Sequence, residues 1–161
     1  MASFRKEILQ QIEQIDVGRI FTFRDLSFPN DKLANVAVFL SEQSKKGILM
    51  RVEKGAYFRP RKSALGLGTL PVYQDEQFRY ITQKLDGYIT GAYIYNKMGL
   101  TEQVATTITV AALNPVRRFR FKNLDVECVK SYTAAYHDET NIPYLRLLDA
   151  VKDISDLILP L

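Results

Sequence analysis

The chain is poor in the residues that most often carry chemistry. Its 161 residues include one cysteine, Cys128, and one histidine, His137. A single cysteine excludes an internal disulfide and a cysteine-rich metal site, and its place on a predicted strand favours a buried structural thiol. The lone histidine has no evident partners at metal-ligand spacing and no nearby nucleophile, so an exposed loop histidine is favoured.

Long apolar runs are also lacking. No segment approaches the roughly 18 apolar residues that cross a bilayer, and the N-terminal residues become charged at once, which excludes the apolar core of a signal peptide. We therefore expect a cytoplasmic protein with no membrane partner. The acidic pairs Asp75-Glu76 and Asp138-Glu139 are adjacent in sequence, which suits solvated positions better than acid–base catalysis. We expect no enzyme, no metal and no cofactor.

Apolar residues and an uneven charge distribution are present instead. Hydrophobic residues make up 47% of the chain, enough for a core, and the formal net charge is +4. Residues 1–62 contain 12 Lys/Arg and 7 Asp/Glu, a net of +5, whereas residues 63–161 contain 10 and 11, a net of −1. The whole basic excess therefore lies in the N-terminal part, as expected for a phosphate-binding module joined to a neutral one.

The N-terminal part has the pattern of a winged helix-turn-helix. Apolar residues at helical spacing predict a first helix over about 3–15, and Thr22 caps a short second helix through Leu26. A third helix is predicted to begin near residues 31–33 and to end at Lys46, with Val36, Phe39 and Leu40 facing inward. Two strands follow, over 48–52 and 56–59, joined by a turn at 53–55.

The remaining sequence predicts a second, α+β domain. Residues 63–71 have the composition of a linker, because they contain two glycines and end in a proline. Helices are expected over 74–84, 92–98 and 144–159, and strands over 87–91, 104–111, 117–121 and 126–129. In the last helix, Leu145, Leu148, Val151, Ile154 and Ile158 are expected to share one apolar face. The predicted fold is therefore α+β: a winged helix-turn-helix over 1–62 and an α+β domain over 72–161.

This arrangement predicts contact with duplex DNA. The start of a third helix can enter the major groove, where asparagine pairs with adenine and lysine reaches guanine or phosphate, while a basic wing contacts the backbone. The candidate DNA-binding residues are Arg24, Asn30, Lys32, Asn35, Arg51, Lys54, Arg59, Arg61 and Lys62.

A second basic cluster allows two interpretations. Arg117, Arg118, Arg120 and Lys122 alternate with aromatic residues, so they could extend a nucleic-acid surface by charge and stacking. The strict alternation favours a half-buried strand, with Phe119 and Phe121 inward and the arginines in water. The same arginines could also bind an acidic protein.

Two motifs resemble a known family. The first motif is Lys46-Gly47-Ile48-Leu49-Met50-Arg51-Val52-Glu53-Lys54-Gly55-Ala56-Tyr57, and the second joins Thr90-Gly91-Ala92 to Gly99-Leu100-Thr101-Glu102-Gln103-Val104. Both are similar to patterns of the AbiEi-like antitoxins of type IV toxin–antitoxin systems and related winged-helix regulators. The similarity covers roughly residues 5–131 and includes the stretch from Gly68 to Pro71.

The resemblance implies a bacterial DNA-binding repressor. Its N-terminal domain would bind the promoter of its own operon as double-stranded DNA, and its C-terminal domain would neutralise a nucleotidyltransferase-like toxin. A homodimer on DNA would match a symmetric operator. Two alternatives stay open: a protein–protein adaptor that uses the winged helix only as a scaffold, and an enzyme whose site the sequence does not reveal.

Overall fold

The protein is a mixed α+β structure with five α-helices among the residues described. The computed structural model describes the backbone of residues 2–158 and the side chains of residues 2–154. The chain divides into two compact units, Met1–Gln77 and Phe78–Leu161, with the division inside a helix. The mixed α+β class expected from the sequence is confirmed.

The first unit contains two helices and three short strands followed by a small hairpin. Its elements are α1 (Ala2–Gln14), β1 (Ile20–Thr22), α2 (Leu33–Lys45), β2 (Met50–Glu53), β3 (Ala56–Phe58), β4 (Arg61–Lys62) and β5 (Thr69–Leu70). Strand β3 lies between β1 and β2, antiparallel to both, and β4 pairs with β5. The stretch expected to be a linker, residues 63–71, therefore contains β5 and follows directly after its partner strand β4.

One hydrophobic cluster holds this unit together. Ile8 and Ile12 of α1, Val36, Phe39 and Leu40 of α2, and Phe21, Leu26, Leu49 and Tyr57 are buried in it. The inward face predicted for α2 is confirmed, and the apolar spacing predicted for α1 also lies against this core, because apolar side chains at i, i+3 and i+4 lie on one side of a helix. At the surface, Arg5 pairs with Glu42 at 3.0 Å and lies over the Phe39 ring, which also joins α1 to α2.

Two local predictions in this unit were wrong. The second helix is a single 3₁₀ turn, Phe23–Asp25, whose capping box joins Thr22 and Asp25; the chain becomes extended again at Leu26. Strand β2 begins at Met50 rather than residue 48, because the N–H groups of Ile48 and Leu49 donate to the carbonyl oxygen of Gln43 and close the end of α2. Gly47, with φ of +75°, makes that reversal possible.

The second unit is a four-stranded sheet with helices. Its elements are α3 (Gln74–Leu85, which begins in the first unit), β6 (Gly87–Thr90), α4 (Ala92–Lys97), β7 (Thr107–Ala112), β8 (Phe119–Phe121), β9 (Leu124–Lys130) and α5 (Ile142–Ile158). The strand order is β6-β7-β9-β8, with β7 and β9 parallel and the other pairs antiparallel. The predicted strands are thus present, with shifted ends.

The predicted apolar face of the last helix was wrong. Leu145 is buried, but Leu148 and Val151 are exposed, so these residues do not share an inward face. The Ile158 side chain lies outside the described residues. The inward side of α5 instead carries Asp149 and Asp153, which are hydrogen-bonded to side chains of β6 and α4. Polar partners, rather than apolar periodicity, fix the rotation of this helix.

Candidate nucleic-acid interface

The outer side of α2 and the β2–β3 turn are exposed parts of the predicted DNA-binding surface. Helix α2 buries Val36, Phe39, Leu40 and Gln43 and leaves Asn35 and Val38 exposed on its other side. Sixteen residues after Val38, the β2–β3 turn presents Lys54 to solvent, at a position where Gly55 has φ of +80°. An exposed helix side followed directly by a basic hairpin is an arrangement that can contact a groove and its adjacent phosphates.

The candidates before and at the start of α2 are accessible. Asn30 is exposed in a 3₁₀ turn, Asn30–Lys32, that leads into the helix. Lys32 is half-buried, and its Nζ lies 3.7 Å from an Asp31 carboxylate oxygen. Arg24 is exposed in the earlier 3₁₀ turn. Surface pairs such as Lys32–Asp31 contribute little, so this lysine can exchange its partner for a phosphate.

In the hairpin, the two basic candidates differ. The Arg51 Nε donates to the carbonyl oxygen of Glu53 at 3.1 Å, across the bulge of β2, and its residue remains exposed. Lys54 is exposed at the turn. The Lys54 side chain is therefore freer than that of Arg51 to move toward a phosphate.

Two of the predicted contacts have partners inside the first unit. Arg59 Nη1 donates to the carbonyl oxygens of Glu13 and Ile15, at 3.0 and 2.8 Å, and so caps the end of α1. Arg61 stacks on the ring of Tyr73, with its guanidinium carbon 3.4 Å from the ring centroid. Both arginines hold the unit together, a role that basic clustering alone could not distinguish from phosphate binding. Lys62, next to Arg61, is exposed.

The second basic cluster lies in the other unit and follows the strand interpretation. Phe121 is buried and Phe119 half-buried, whereas Arg118 and Arg120 are exposed. The Arg118 guanidinium donates to the Thr107 hydroxyl at 3.2 Å, and the Arg120 Nε to the Lys122 carbonyl at 3.4 Å. Arg117 is exposed, and Lys122 is exposed in the β8–β9 turn. The alternation predicted for this strand is confirmed.

The two rare residues depart from expectation in opposite directions: His137 is less exposed than expected and Cys128 is more exposed. The His137 side chain is only 22% exposed, its Nδ1 is hydrogen-bonded to the Ala134 carbonyl, and its Nε2 lies 3.7 Å from Asp86. It borders a cavity of about 270 Å³ together with Asp86 and Asn114. The exposed-loop interpretation of His137 was therefore wrong. Cys128, on β9, is half-buried rather than fully buried.

In the part of the chain that the structure describes, no group of three or more His, Cys, Asp or Glu side chains could hold a metal ion. Over the same residues, every helix falls short of the length and apolar character that a membrane span requires.

A polar network in the second unit was missed by the sequence reasoning. We call Tyr88, Thr90, Tyr95, Asp149 and Asp153 the tyrosine–aspartate network. Asp149 accepts hydrogen bonds from the Tyr88 and Thr90 hydroxyls, both at 2.8 Å, and Asp153 accepts one from Tyr95 at 2.7 Å. Burial raises the pKa of Tyr88 and of Tyr95 above the ordinary 10.0, and the neighbouring carboxylates add to this effect.

No local sequence signal could have revealed this network, because its acids and hydroxyls are about 60 residues apart in the chain. Only the folding of α5 against β6 and α4 brings them together.

Comparison with known proteins places the chain in a family without assigning an activity. No curated protein matches it. A family described as a family of unknown function, DUF6088, matches residues 7–127, which include the whole of the candidate interface. Since this match covers well over half of its length, the chain belongs to the DUF6088 family of unknown function.

Proposed function

We propose that the chain is a DNA-binding transcriptional regulator whose first unit acts as a winged helix-turn-helix. The order helix, strand, turn, helix and two-stranded hairpin supports this proposal, with β1 completing a three-stranded sheet. The short 3₁₀ turn at Phe23–Asp25 would take the place of the second helix. In this proposal residues 1–62 are the DNA-binding domain, and residues 63–71 join it to the α+β domain of residues 72–161.

One observation carries the proposal: α2 is fixed to a core on one side while its other side and the following basic turn are exposed. Four buried positions at helical spacing, Val36, Phe39, Leu40 and Gln43, fix the rotation of the helix. Asn35 then faces outward, where its amide can pair with an adenine edge. Arg24, Lys54 and Lys62 are exposed cations in the same unit and would contact phosphates, which supply most of the affinity for DNA.

The regulator would act as an AbiEi-like antitoxin in the cytoplasm of a bacterium. It would repress its own promoter, on which two copies would bind, and neutralise a cognate nucleotidyltransferase-like toxin through its second unit. Support for the second role comes only from the resemblance. The glycines of that motif have structural reasons: Gly99, with φ of +73°, ends α4, and a Cβ on Gly91 would lie 2.8 Å from the Thr109 hydroxyl.

Fluorescence anisotropy with DNA from upstream of the gene tests the proposal. We expect Lys54→Ala and Arg24→Ala to weaken binding to all duplexes by a similar factor, since phosphate contacts do not depend on sequence. Asn35→Ala should instead reduce the preference for the upstream DNA over unrelated DNA. Lys6→Ala, an exposed lysine on α1, is the matched control and should bind as the unmodified protein does. Equal binding by all four variants would overturn the proposal.

A protein–protein adaptor is the second candidate, and exposed apolar side chains favour it. Leu33, Val38, Ile48 and Met50 are 39–55% exposed on α2 and the segment after it. If these residues bind a protein, combined replacement of Lys32, Asn35 and Lys54 by alanine will leave repression of a reporter intact, while Val38→Glu abolishes it. The DNA-binding proposal expects the combined replacement to abolish repression.

A further inference from the structure

Three charged side chains of helix α5 make hydrogen bonds on the side that faces β6 and α4, although Asp153 and the neighbouring Lys152 are exposed. Arg146 Nε donates to the Ile89 carbonyl oxygen at 2.8 Å, and Asp149 and Asp153 accept the hydroxyl hydrogen bonds of the tyrosine–aspartate network. Among the α5 side chains that the structure describes, through residue 154, Leu145 and Ala150 are the buried apolar residues. A surface helix ordinarily has the opposite arrangement, with apolar residues inward and charges in water.

The outward side of α5 is correspondingly apolar. Tyr144, Leu147, Leu148 and Val151 are 68%, 47%, 61% and 60% exposed. Their spacing of i, i+3, i+4 and i+7 places all four on one side of the helix, directly opposite Arg146, Asp149 and Asp153. We call these four residues the α5 apolar face. A contiguous apolar face of this kind marks an interaction site.

The network prevents the helix from rolling to bury this face. Tyr88 is 1% exposed and Thr90 is 4% exposed, so neither hydroxyl could replace its bond to Asp149 with one to water. A buried donor left without its partner loses its bond to water with no replacement, which is strongly unfavourable. The exposure of the leucines is therefore fixed by hydrogen bonds on the other side of the helix.

The composition and spacing of the face indicate its occupant. Between Tyr144 and Val151 the face carries no charged residue, so it suits neither phosphate nor an acidic peptide. The spacing is also symmetric about the point between Leu147 and Leu148. An antiparallel copy of the helix, related by a two-fold axis through that point, places Leu147 opposite Leu148 and Tyr144 opposite Val151 of its partner. A two-fold interface needs such self-complementarity.

We propose that the α5 apolar face binds the same face of a second copy of this chain, antiparallel, about a two-fold axis between Leu147 and Leu148. The exposed area available is modest, roughly 400 Å² per copy on the scale of 150–250 Å² for a large side chain. Both copies together would bury roughly 800 Å², below the 1,200 Å² typical of stable complexes. The dimer is therefore weak, with a dissociation constant in the micromolar range or above.

Sedimentation equilibrium of the full chain without DNA tests this inference. The unmodified protein should show a reversible monomer–dimer equilibrium as its concentration rises, and Leu147→Glu should weaken it by at least about tenfold, since a charge at the centre would lose its hydration. Leu65→Glu is the matched control, because Leu65 is 82% exposed in the first unit, and it should associate as the unmodified chain does. Circular dichroism should show unchanged helix content in both variants.

A charge pair tests the register. In the proposed geometry Leu147→Glu combined with Leu148→Lys places opposite charges across the axis, so association should recover at low salt and weaken with added salt. Leu147→Glu combined with Leu148→Glu should stay monomeric. A protein that is monomeric at all concentrations, or a dimer that Leu147→Glu does not weaken, would overturn the inference. Since no DNA is present, either result would leave the DNA-binding proposal standing.

Discussion

We expect Asp149 of α5 to stabilise the second unit more than Leu148, an exposed residue of the same helix, does. Asp149→Ala removes the acceptor of two hydroxyl groups, on Tyr88 and Thr90, that are almost fully buried. Each unpaired buried donor costs about 1–3 kcal/mol. Tyr88 keeps a contact with the Thr133 hydroxyl at 3.3 Å, and Thr90 keeps a longer one with the Tyr95 hydroxyl at 3.4 Å, so both shares are reduced. We expect a total loss of about 2–4 kcal/mol in the free energy of unfolding.

Leu148→Ala is the contrasting change. Leu148 is 61% exposed, and alanine is at least as favourable in a helix, so we expect a loss below about 0.5 kcal/mol. Leu145→Ala, at a buried position of the same helix, should cost about 2–4 kcal/mol and serves as the control for ordinary core packing.

Urea denaturation followed by circular dichroism measures these losses, at protein concentrations low enough to keep the chain monomeric. Amide hydrogen exchange in β6 and β7 reports the second unit separately, which matters because two units need not unfold together. The reasoning would be refuted if Leu148→Ala proved more destabilising than Asp149→Ala. That result would mean that α5 packs its leucines inward.

Three further predictions concern single residues. Arg59→Ala removes the donor to the carbonyl oxygens of Glu13 and Ile15 and should destabilise the first unit by about 1.5–3 kcal/mol. Urea denaturation measures this loss, and an unchanged unfolding midpoint would contradict the capping role of Arg59. Because the pKa values of Tyr88 and Tyr95 are raised in the folded state, their contribution to stability is full below pH 10.0, the ordinary pKa of tyrosine, and is lost as the pH rises above 10.0. Thermal melts should therefore show a falling melting temperature above pH 10.0, and Tyr95→Phe should make this decrease smaller. Gly87→Ala places a Cβ 2.2 Å from the Ala111 carbonyl oxygen, so it should separate β6 from β7 and lower the melting temperature. Gly55→Ala should do less, because its Cβ meets no atom within 4 Å and only the strain of its positive φ remains.

Local periodicity was enough to predict much of the fold. The apolar stripes of α1 and α2, with Ile8, Val36 and Leu40 inward, follow from the 3.6-residue repeat, because each of these helices packs one side against a single core. The alternation of β8 was predictable for the same reason, since Phe121 faces the core while Arg120 faces water. Element ends were less accurate where hydrogen bonds between neighbouring segments decided them, as at Gln43.

Long-range polar contacts were not predictable. The outward leucines of α5 follow from bonds between Asp149 and residues about 60 positions earlier, and no pattern within the helix contains that information. The candidate interface shows the same limit. The sequence could group Arg59 and Arg61 with the other basic residues, but it could not show that one caps α1 and the other stacks on Tyr73.

The salt dependence of binding to its own upstream DNA tests the central proposal most directly. If Arg24, Lys54 and Lys62 each neutralise one phosphate, the logarithm of the binding constant should fall against the logarithm of salt concentration with a slope of about −3, at roughly −0.9 per contact. Lys54→Ala should make this slope shallower by about one. A complete lack of salt-dependent affinity for any duplex at low salt would contradict the proposal that this chain binds DNA.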